Sequence, residues 1–290
     1  MLRHFQDFPC APARVVVLGA AGFVASATIR RLAQFCVPVL DLPRTKLELT
    51  DKDAGRLLGN LLRPDDLLVF AAARAPATNE GMLISNLQMG AAVCAALRVS
   101  PVSQVVYISS DAVYADSIQP LTENSCAQPA SLHGIMHLAR EVMLCSAFSG
   151  RVCILRPTLI YGVGDPHNGY GPNRFCRLAV SGKDIVLFGQ GEERRDHVWV
   201  EDVAELVFRV LMHQSTGILN VSTGTVCSFR KIAELAVNCA KQKSKIIFSP
   251  RSGPMPHNGY RPFDVKETYA SFPNFKYSQL QTIIPHLTNI

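Results

Sequence analysis

Two histidines, His133 and His137, lie four residues apart in the segment PASLHGIMHLARE, residues 129–141. The segment reads as the start of a helix, and residues four apart on a helix share one face. Two imidazoles on one face can form a metal site, an acid/base pair near neutral pH, or a packed surface. A metal site needs a third ligand, and no HExxH-like context accompanies the pair. The surrounding sequence must decide between these alternatives.

The composition limits the class of protein. The chain has 290 residues, is 48% hydrophobic and carries a net charge of +6 from 29 basic and 23 acidic residues. This length fits one large domain or a domain with an appendage. The basic residues form no run, which favours an anionic small molecule over nucleic acid as the ligand. The alternative is a mildly basic, solvated surface.

The cysteines and the apolar segments predict a location. The nine cysteines include no CxxC pair, which indicates neither a disulfide framework nor a zinc cluster and favours a reduced, cytoplasmic compartment. The N-terminus lacks the apolar stretch of a signal peptide, and no uninterrupted apolar run reaches the ~18 residues of a membrane span. We therefore expect no membrane partner.

A strand, a glycine turn and a helix stand near the start of the chain. Residues 14–19 (RVVVLG) read as a buried strand that ends in Gly19, Gly22 follows, and residues 23–34 have helical periodicity. This order is typical of dinucleotide binding, because glycines let the backbone approach a pyrophosphate at the helix N-terminus. The pattern predicts cofactor contacts from Gly19, Gly22, Phe23 and Val24. Ala25 replaces the usual third glycine.

The next acidic residue bears on the type of dinucleotide. A strand predicted at residues 37–40 ends before Asp41, which lies ~20 residues beyond the glycines, where a carboxylate binds an adenosine ribose. Asp41 therefore favours NAD, while Arg44 nearby keeps NADP open as an alternative. Asp41 can equally be a turn residue at the end of a strand.

Strands and helices alternate through the first half of the chain. Helices are predicted at residues 51–62 and 82–97, strands at 67–72 and 104–109, and a strand running into a loop at 151–161. The alternation predicts an α/β fold, a Rossmann-type doubly wound parallel sheet with a smaller C-terminal substrate lobe. We assign residues 12–162 to the Rossmann domain, with residues 194–222 returning to it, and residues 163–193 and 223–290 to the lobe.

Many short blocks in one order carry a family resemblance. They are LGAAGFVA, LELTD, LVFAAA, SNLQMG, ISSDAVYAD, PASLHGIMHLARE, LRPTLIYG and FGQGEERRDHVWVEDVA. With these blocks the chain resembles the extended short-chain dehydrogenase/reductases of the nucleotide-sugar epimerase, dehydratase and reductase group. The resemblance covers about residues 14–225 and implies an NAD(P)-dependent enzyme acting on a nucleotide-activated sugar.

The resemblance also implies the catalytic residues and one departure from the family. Ser110 falls at the position of the family's Ser or Thr, which orients a substrate oxygen. His133 falls at the position of the proton-transferring Tyr, and His137 at that of the Lys that binds the nicotinamide ribose. Imidazole titrates near pKa ~6.5 and phenol near ~10, so His133 can move a proton without a lysine. Its shorter ring starts roughly 2 Å further from the substrate.

Further contacts follow from the same resemblance. It implies cofactor contacts from Glu48, Leu49, Ala71, Ala72, His137 and Pro157. It implies substrate contacts from Ser110, His133, Tyr161, His167, Asn173 and Arg195. A guanidinium forks onto phosphate oxygens, so Arg194 and Arg195 together indicate a diphosphate. Arg251 and Arg261 are either further phosphate ligands or surface charges.

Three hypotheses remain for the histidine pair. The first is an active enzyme with altered acid/base residues. The second is a non-catalytic relative that binds NAD or a nucleotide sugar in a regulatory or partner-subunit role. The third is a metal pair. Family members often pair through the helix that carries His137, so a homodimer is also expected.

Overall fold

The computed structural model of the chain describes residues 2–288, which form strands and helices in alternation. The strands are β1 (Val15–Leu18), β2 (Val39–Leu42), β3 (Leu67–Phe70), β4 (Gln104–Ile108), β5 (Arg151–Pro157), β6 (Leu159–Tyr161), β7 (Ile185–Phe188), β8 (Arg194–Trp199), β9 (Gly217–Val221), β10 (Val226–Ser228), β11 (Ile246–Ser249) and β12 (Tyr260–Arg261). The helices are α1 (Phe23–Ala33), α2 (Ala54–Leu61), α3 (Glu80–Val99), α4 (Leu132–Ala147), α5 (Pro172–Val180), α6 (Val200–Met212), α7 (Phe229–Cys239), α8 (Lys266–Ser271) and α9 (Leu280–Thr288). Two 3₁₀ turns lie at Asp111–Val113 and Pro256–Gly259.

A six-stranded parallel sheet, in the order β2-β1-β3-β4-β5-β9, forms the centre of the molecule. The chain runs outward from β1 to β2 and then crosses to β3 on the other side of β1. Ligands of such sheets bind where the strand order reverses, beyond the carboxyl ends of the strands. The prediction of a Rossmann-type doubly wound sheet is confirmed.

Both faces of the sheet are buried, which explains its nearly continuous apolar strands. Val15 and Val17 belong to one core cluster, which α1 and α6 cover. Val16 and Leu18 belong to a second cluster, which α2, α3 and α4 cover. Alternate side chains of one strand thus fill opposite cores, as the period of two requires.

Helix α3 is long and apolar enough to cross a membrane by length and composition alone. In the fold it packs between α2 and α4, and it buries Asn86, Met89, Val93 and Leu97 toward the sheet. Core helices pass the same test, so the helix by itself is weak evidence for a membrane span.

The remaining elements form a second layer beyond the carboxyl ends of β4 and β5. Strand β8 pairs with β6, β10 and β12, and β7 pairs with β11. A third apolar cluster, which includes Tyr161, Phe175, Phe229 and Ile283, joins α5, α7 and α9. The domain boundaries assigned from the sequence stay a prediction.

Several predicted element limits are wrong for identifiable reasons. Strand β2 starts at Val39 rather than at Val37, because the Val37 N–H closes the end of α1 on the Leu32 carbonyl. Asp41 therefore lies inside β2 and not after it. Residues 151–161, predicted as a strand running into a loop, are two strands, because β5 pairs with β9 up to Pro157 whereas β6, from Leu159, pairs with β8.

The C-terminal half has more regular structure than its sequence indicates. The segment 162–173, whose Gly, Pro and Asn content is typical of a loop, ends inside α5, whose N-cap is Gly171 and whose first residue is Pro172. Proline suits the first turn of a helix, where its missing N–H has no partner to lose. The tail after residue 249, in which periodicity is weak, contains β12, α8 and α9.

Candidate active site

The glycine turn after β1 places the N-terminus of α1 at the edge of a cavity. Gly19 has φ +78°, and a Cβ there would lie 2.7 Å from the Ala72 Cα. The Gly22 N–H donates to the Gly19 carbonyl at 2.8 Å, and Gly22 is the N-cap of α1. The first backbone N–H groups of α1 are thus available to an anion beside Phe23 and Val24, so these residues fit a dinucleotide pyrophosphate.

One cavity of about 540 Å³ connects this turn with the predicted catalytic and substrate residues. Of the predicted site residues, those that line it are Gly22, Phe23, Val24, Ala71, Ser110, His133, His137, Pro157, Tyr161, His167, Asn173 and Arg195. The sheet supplies them from the carboxyl ends of β3, β4 and β5, and the second layer supplies them from β6, β8 and α5. Its size suits a small-molecule ligand.

The other predicted cofactor residues lie outside the lining of this cavity. The Asp41 carboxylate is half-exposed and forms an ion pair with Lys46 at 2.8 Å, and this hydrogen bond holds the pKa of Asp41 below its usual value. Glu48 pairs with Arg44 and accepts from the Thr50 hydroxyl. These contacts are local. Cofactor contacts from the residues outside the lining stay a prediction; these residues are Gly19, Asp41, Glu48, Leu49 and Ala72.

Leu49 and Ala72 have structural roles. The Leu49 side chain is buried in the second core cluster. The Ala72 carbonyl accepts a hydrogen bond from Arg140 Nη1 at 2.9 Å, and the Ala72 backbone packs against Gly19. Any contact of these two residues with a cofactor stays a prediction.

Ser110 lies directly beyond β4, where it caps a 3₁₀ turn. Its hydroxyl oxygen accepts from the Ala112 N–H at 3.2 Å, and its hydroxyl faces the Asp111 carboxylate at 3.4 Å. Asp111 is buried and forms an ion pair with Arg261 at 2.9 Å between Oδ2 and Nε. Ser110 is thus held by its own turn, at the wall of the cavity.

His133 lies in the first turn of α4, which begins where the Ser131 hydroxyl caps the Gly134 N–H at 3.1 Å. The Ala77 N–H donates to His133 Nδ1 at 3.4 Å, so Nε2 is the ring nitrogen available to a ligand. Burial lowers the pKa of His133; Asp111 opposes this effect and His167 adds to it. The ring is therefore neutral at pH 7, with its proton on Nε2.

His137 lies one turn further along α4 and is buried. Its Nδ1 is 2.8 Å from the Tyr107 hydroxyl of β4. Burial, His133 and Arg140 together hold the pKa of His137 well below its ordinary value. The rings of His133 and His137 stand at 86° with their centroids 4.7 Å apart.

The structure gives no support to the metal hypothesis. Among residues 2–288, no group of three or more His, Cys, Asp or Glu side chains is placed to hold a metal ion. The Nδ1 atoms of His133 and His137 are also engaged by Ala77 and Tyr107.

The remaining predicted substrate residues also line the cavity. Asn173, in the first turn of α5, accepts from the Gly162 N–H through Oδ1 at 3.0 Å. Arg195 of β8 is buried, with a 3.6 Å ion pair to Glu193. The Tyr161 side chain is buried, and its hydroxyl has no hydrogen-bond partner within the described chain. His167 lies in the loop before α5, and its backbone N–H donates to the Asp165 carboxylate.

Three arginines do not form the predicted phosphate site. Arg194 points away from Arg195 along β8 and stacks on Tyr260, 4.5 Å from the ring centroid. Successive residues of a strand face opposite sides, so the Arg194–Arg195 pair cannot bind one diphosphate. Arg251 forms an ion pair with Glu193 at 3.3 Å. Arg261 is neither a phosphate ligand nor a surface charge, since it is 1% exposed and held by acidic side chains.

Sequence reasoning missed three residues at the site. His197 lines the cavity, and both of its ring nitrogens are buried without a partner in the described residues. Burial lowers the pKa of His197 to about 3. Tyr107 and Ala77 engage the two candidate histidines from segments distant in sequence. Side chains alternate along β8, so His197 faces the same side as the predicted site residue Arg195. This alternation is the signal in the sequence that could have identified His197.

Residues 15–222 match the model of the NAD dependent epimerase/dehydratase family. The chain belongs to this family. This membership confirms the predicted family, the NAD cofactor and the class of protein, an enzyme of the nucleotide-sugar epimerase, dehydratase and reductase type. The cytoplasmic location and the homodimer stay predictions.

The relatives of the chain have names that refer to enzymes of nucleotide sugars. An uncharacterized UDP-glucose epimerase of Bacillus subtilis is 24% identical over 84% of this chain and 88% of its own length. A GDP-L-fucose synthase of Escherichia coli is 25% identical over 81% of this chain and 84% of its own. The structure of a UDP-glucose 4-epimerase of Thermotoga maritima with UDP-glucose superimposes with a TM-score of 0.83 at 19% identity, covering 95% of this chain and 98% of that chain.

Proposed function

We propose that this chain is an NAD-dependent enzyme that acts on a nucleotide-activated sugar through a histidine-based site. The single observation that carries the proposal is the continuous cavity, which joins the N-terminus of α1 with Ser110, His133 and Arg195. A dinucleotide on α1 and a sugar phosphate on Arg195 would bring the sugar ring to Ser110 and His133. The epimerase and reductase names of the relatives support the same substrate class.

The cofactor site favours NAD over NADP. Arg44 is paired with Glu48, so its charge is compensated before a 2′-phosphate could bind. Asp41, inside β2, pairs with Lys46 but stays half-exposed, so its carboxylate can still accept from ribose hydroxyls. NAD, when bound, exchanges a hydride with a sugar carbon.

His133 and Ser110 would act on the oxygen of that carbon. Because Ala77 engages Nδ1, the neutral ring presents an Nε2–H donor, and a neutral imidazole can polarise a substrate carbonyl in this way. The Ser110 hydroxyl, which also lines the cavity, would supply a second donor on turning from Asp111 Oδ1, its acceptor at 3.4 Å. Donors aimed at an oxygen that gains charge in the transition state lower the barrier to hydride transfer. This arrangement favours reduction of a keto sugar, or the reductive half of an epimerisation or dehydration. The hydride would add to the carbonyl carbon, and the alkoxide would take its proton from solvent, because loss of the Nε2 proton would leave an imidazolate.

The hydrogen bond from the Ala77 N–H to His133 Nδ1 also favours a second candidate function, that of a non-catalytic member of the family. A protonated His133 would carry a proton on Nδ1, directly against the Ala77 N–H. The ring is therefore poorly placed to release a full proton, which suits a protein that only binds NAD and a nucleotide sugar. In that case the chain would act as a regulatory or partner subunit.

One assay separates the two candidates. NADH absorbance and product formation are followed with a panel of nucleotide sugars and keto sugars, for the wild type and for His133→Ala. The enzyme proposal expects turnover of at least one substrate and its loss in His133→Ala. Binding of NAD without turnover, unchanged by His133→Ala, favours the non-catalytic candidate. Activity gained only in His133→Tyr/His137→Lys would show a site that has lost its original chemistry.

A further inference from the structure

Tyr107 is a buried hydroxyl directly behind the histidine pair. The residue is 0% exposed on the central strand β4, and its hydroxyl lies 2.8 Å from His137 Nδ1. Burial raises the pKa of Tyr107 to about 12, so the phenol is protonated at neutral pH. His137 is neutral, because burial, His133 and Arg140 lower its pKa. One proton on each group leaves two arrangements for the hydrogen bond between them.

The surroundings decide between these arrangements. If His137 Nδ1–H donated to Tyr107, the buried phenol proton would need another acceptor, and among the described residues His137 Nδ1 is the acceptor within reach of this hydroxyl. The charged neighbour on the other side is Arg140, whose guanidinium has donors only and faces the Tyr107 oxygen as a donor. A guanidinium beside the phenol oxygen favours a hydroxyl that turns its proton away, toward the imidazole.

We propose that Tyr107 is a positioning residue that donates to His137 Nδ1 and so fixes His137 as the neutral Nε2–H tautomer. The ring nitrogen on the side opposite Tyr107 is then a permanent donor at the wall of the cavity. It can donate to one ribose hydroxyl without carrying charge. The ligand named here rests on the proposed function, whereas the tautomer does not.

This arrangement explains how the site works without a lysine. A lysine at position 137 would place a buried positive charge next to Arg140 and close to His133. A neutral imidazole with a fixed tautomer keeps one directed hydrogen bond and avoids that repulsion. A free imidazole exchanges between its two tautomers. The hydrogen bond from the Tyr107 hydroxyl selects the tautomer in which His137 Nε2 carries the proton and donates to the ligand.

The test reads the tautomer directly in the unliganded protein. ¹⁵N NMR of histidine-labelled protein at neutral pH distinguishes a protonated from an unprotonated ring nitrogen by chemical shift, and His137→Gln assigns the signals. We expect Nδ1 of His137 to be unprotonated and Nε2 to be protonated in the wild type. Tyr107→Phe, which keeps the ring, should give a mixture of tautomers. The matched control is Tyr114→Phe, which removes another buried hydroxyl, bonded to Asn220 at 2.7 Å, and should leave the His137 signals unchanged.

A second readout connects the tautomer with the ligand. Because a mixture presents the Nε2–H donor in only part of the molecules, NAD binding should weaken about 2- to 3-fold in Tyr107→Phe, measured by calorimetric titration, with no change in Tyr114→Phe. A wild-type His137 protonated on Nδ1, or a tautomer unchanged in Tyr107→Phe, overturns the inference. If the expected tautomers are seen but the protein neither binds NAD nor turns over a sugar, the proposed function fails and the role of Tyr107 stands.

Discussion

The Arg261 guanidinium and the Asp111 carboxylate form a buried ion pair, 2.9 Å from Nε to Oδ2. Arg261 belongs to β12, near the end of the chain, and Asp111 directly follows the candidate catalytic residue Ser110. Arg261 also donates to the Asp111 carbonyl at 2.7 Å and to Asp116 at 3.0 Å. The C-terminal segment is therefore attached to the loop that positions Ser110.

Breaking this ion pair should destabilise the protein. Arg261→Met leaves the buried Asp111 carboxylate without its cation, and removing one partner of a buried pair typically lowers the free energy of unfolding by about 3–5 kcal/mol. Urea denaturation measures the loss. Lys266→Met, a control at a 90% exposed side chain paired with Asp264, should show no measurable change. An Arg261→Met protein as stable as this control would contradict the structural role of the pair.

Gly134 controls the distance between α4 and the Ser110 loop. A Cβ at Gly134 would lie 2.0 Å from the Ala112 carbonyl oxygen, so Gly134→Ala must push the helix and the loop apart. Overpacking of this kind costs about 1–3 kcal/mol of unfolding free energy and should lower activity as well, because His133 moves with α4. Thermal unfolding and the NADH assay measure both effects.

The matched control for that substitution is Gly81→Ala, in the first turn of α3. A Cβ there meets only Asn79 Oδ1, at an ordinary 3.5 Å. Alanine is the better helix former, so Gly81→Ala should be neutral or slightly stabilising. Equal effects of the two substitutions would show that α4 does not pack against the loop as described.

The local part of the fold was predictable, and the long-range part was not. Strand, Gly19–Gly22 turn and α1 lie within one stretch of sequence, so their order alone indicates the cofactor turn. The partner of Arg261 is 150 residues away, and nothing in the sequence near Arg261 distinguishes a buried ion pair from a phosphate ligand. Ala77 and Tyr107 likewise reach the histidines only through the packing of β4, α4 and the loop after β3.

His197 should make stability depend on pH. Burial lowers its pKa from 6.5 to about 3, so between these values the unfolded chain binds one more proton than the native protein. The free energy of unfolding then rises with pH by about 1.4 kcal/mol per unit over that range and is level above it. Asp196 and Asp202, whose pKa values burial raises from 3.8 to about 6, act in the opposite direction between those two values.

Comparison with His197→Phe isolates the histidine, because both proteins keep the two aspartates. The substitution also removes two buried nitrogens that have no partner in the described residues. When the pH falls from 7 to 4, the wild type should lose about 3 kcal/mol more unfolding free energy than the variant. Urea denaturation at the two pH values measures this, and parallel pH dependence in the two proteins would show that His197 is not buried.

Arg195 should bind the substrate phosphate. Arg195→Gln removes a guanidinium at the cavity wall, so KM for a nucleotide sugar should rise about 10- to 100-fold, while the affinity for NAD stays the same. Glu193 keeps Arg251 as a partner in this variant, which limits the effect on stability. Arg194→Gln, at the neighbouring residue that stacks on Tyr260, is the control and should leave KM unchanged. A KM insensitive to Arg195 would place the phosphate elsewhere.

Transfer of deuterium is the most direct measurement of the central claim, that His133 supports hydride transfer in place of a tyrosine. The protein is incubated with NADH that carries deuterium at both C4 positions of the nicotinamide and with nucleotide-activated keto sugars, and the sugar product is analysed by mass spectrometry. We predict that the wild type places deuterium on a sugar carbon and that His133→Phe does so about 100-fold more slowly, as for loss of a positioned donor. Absence of label with every sugar, or equal rates in the two proteins, would contradict the claim.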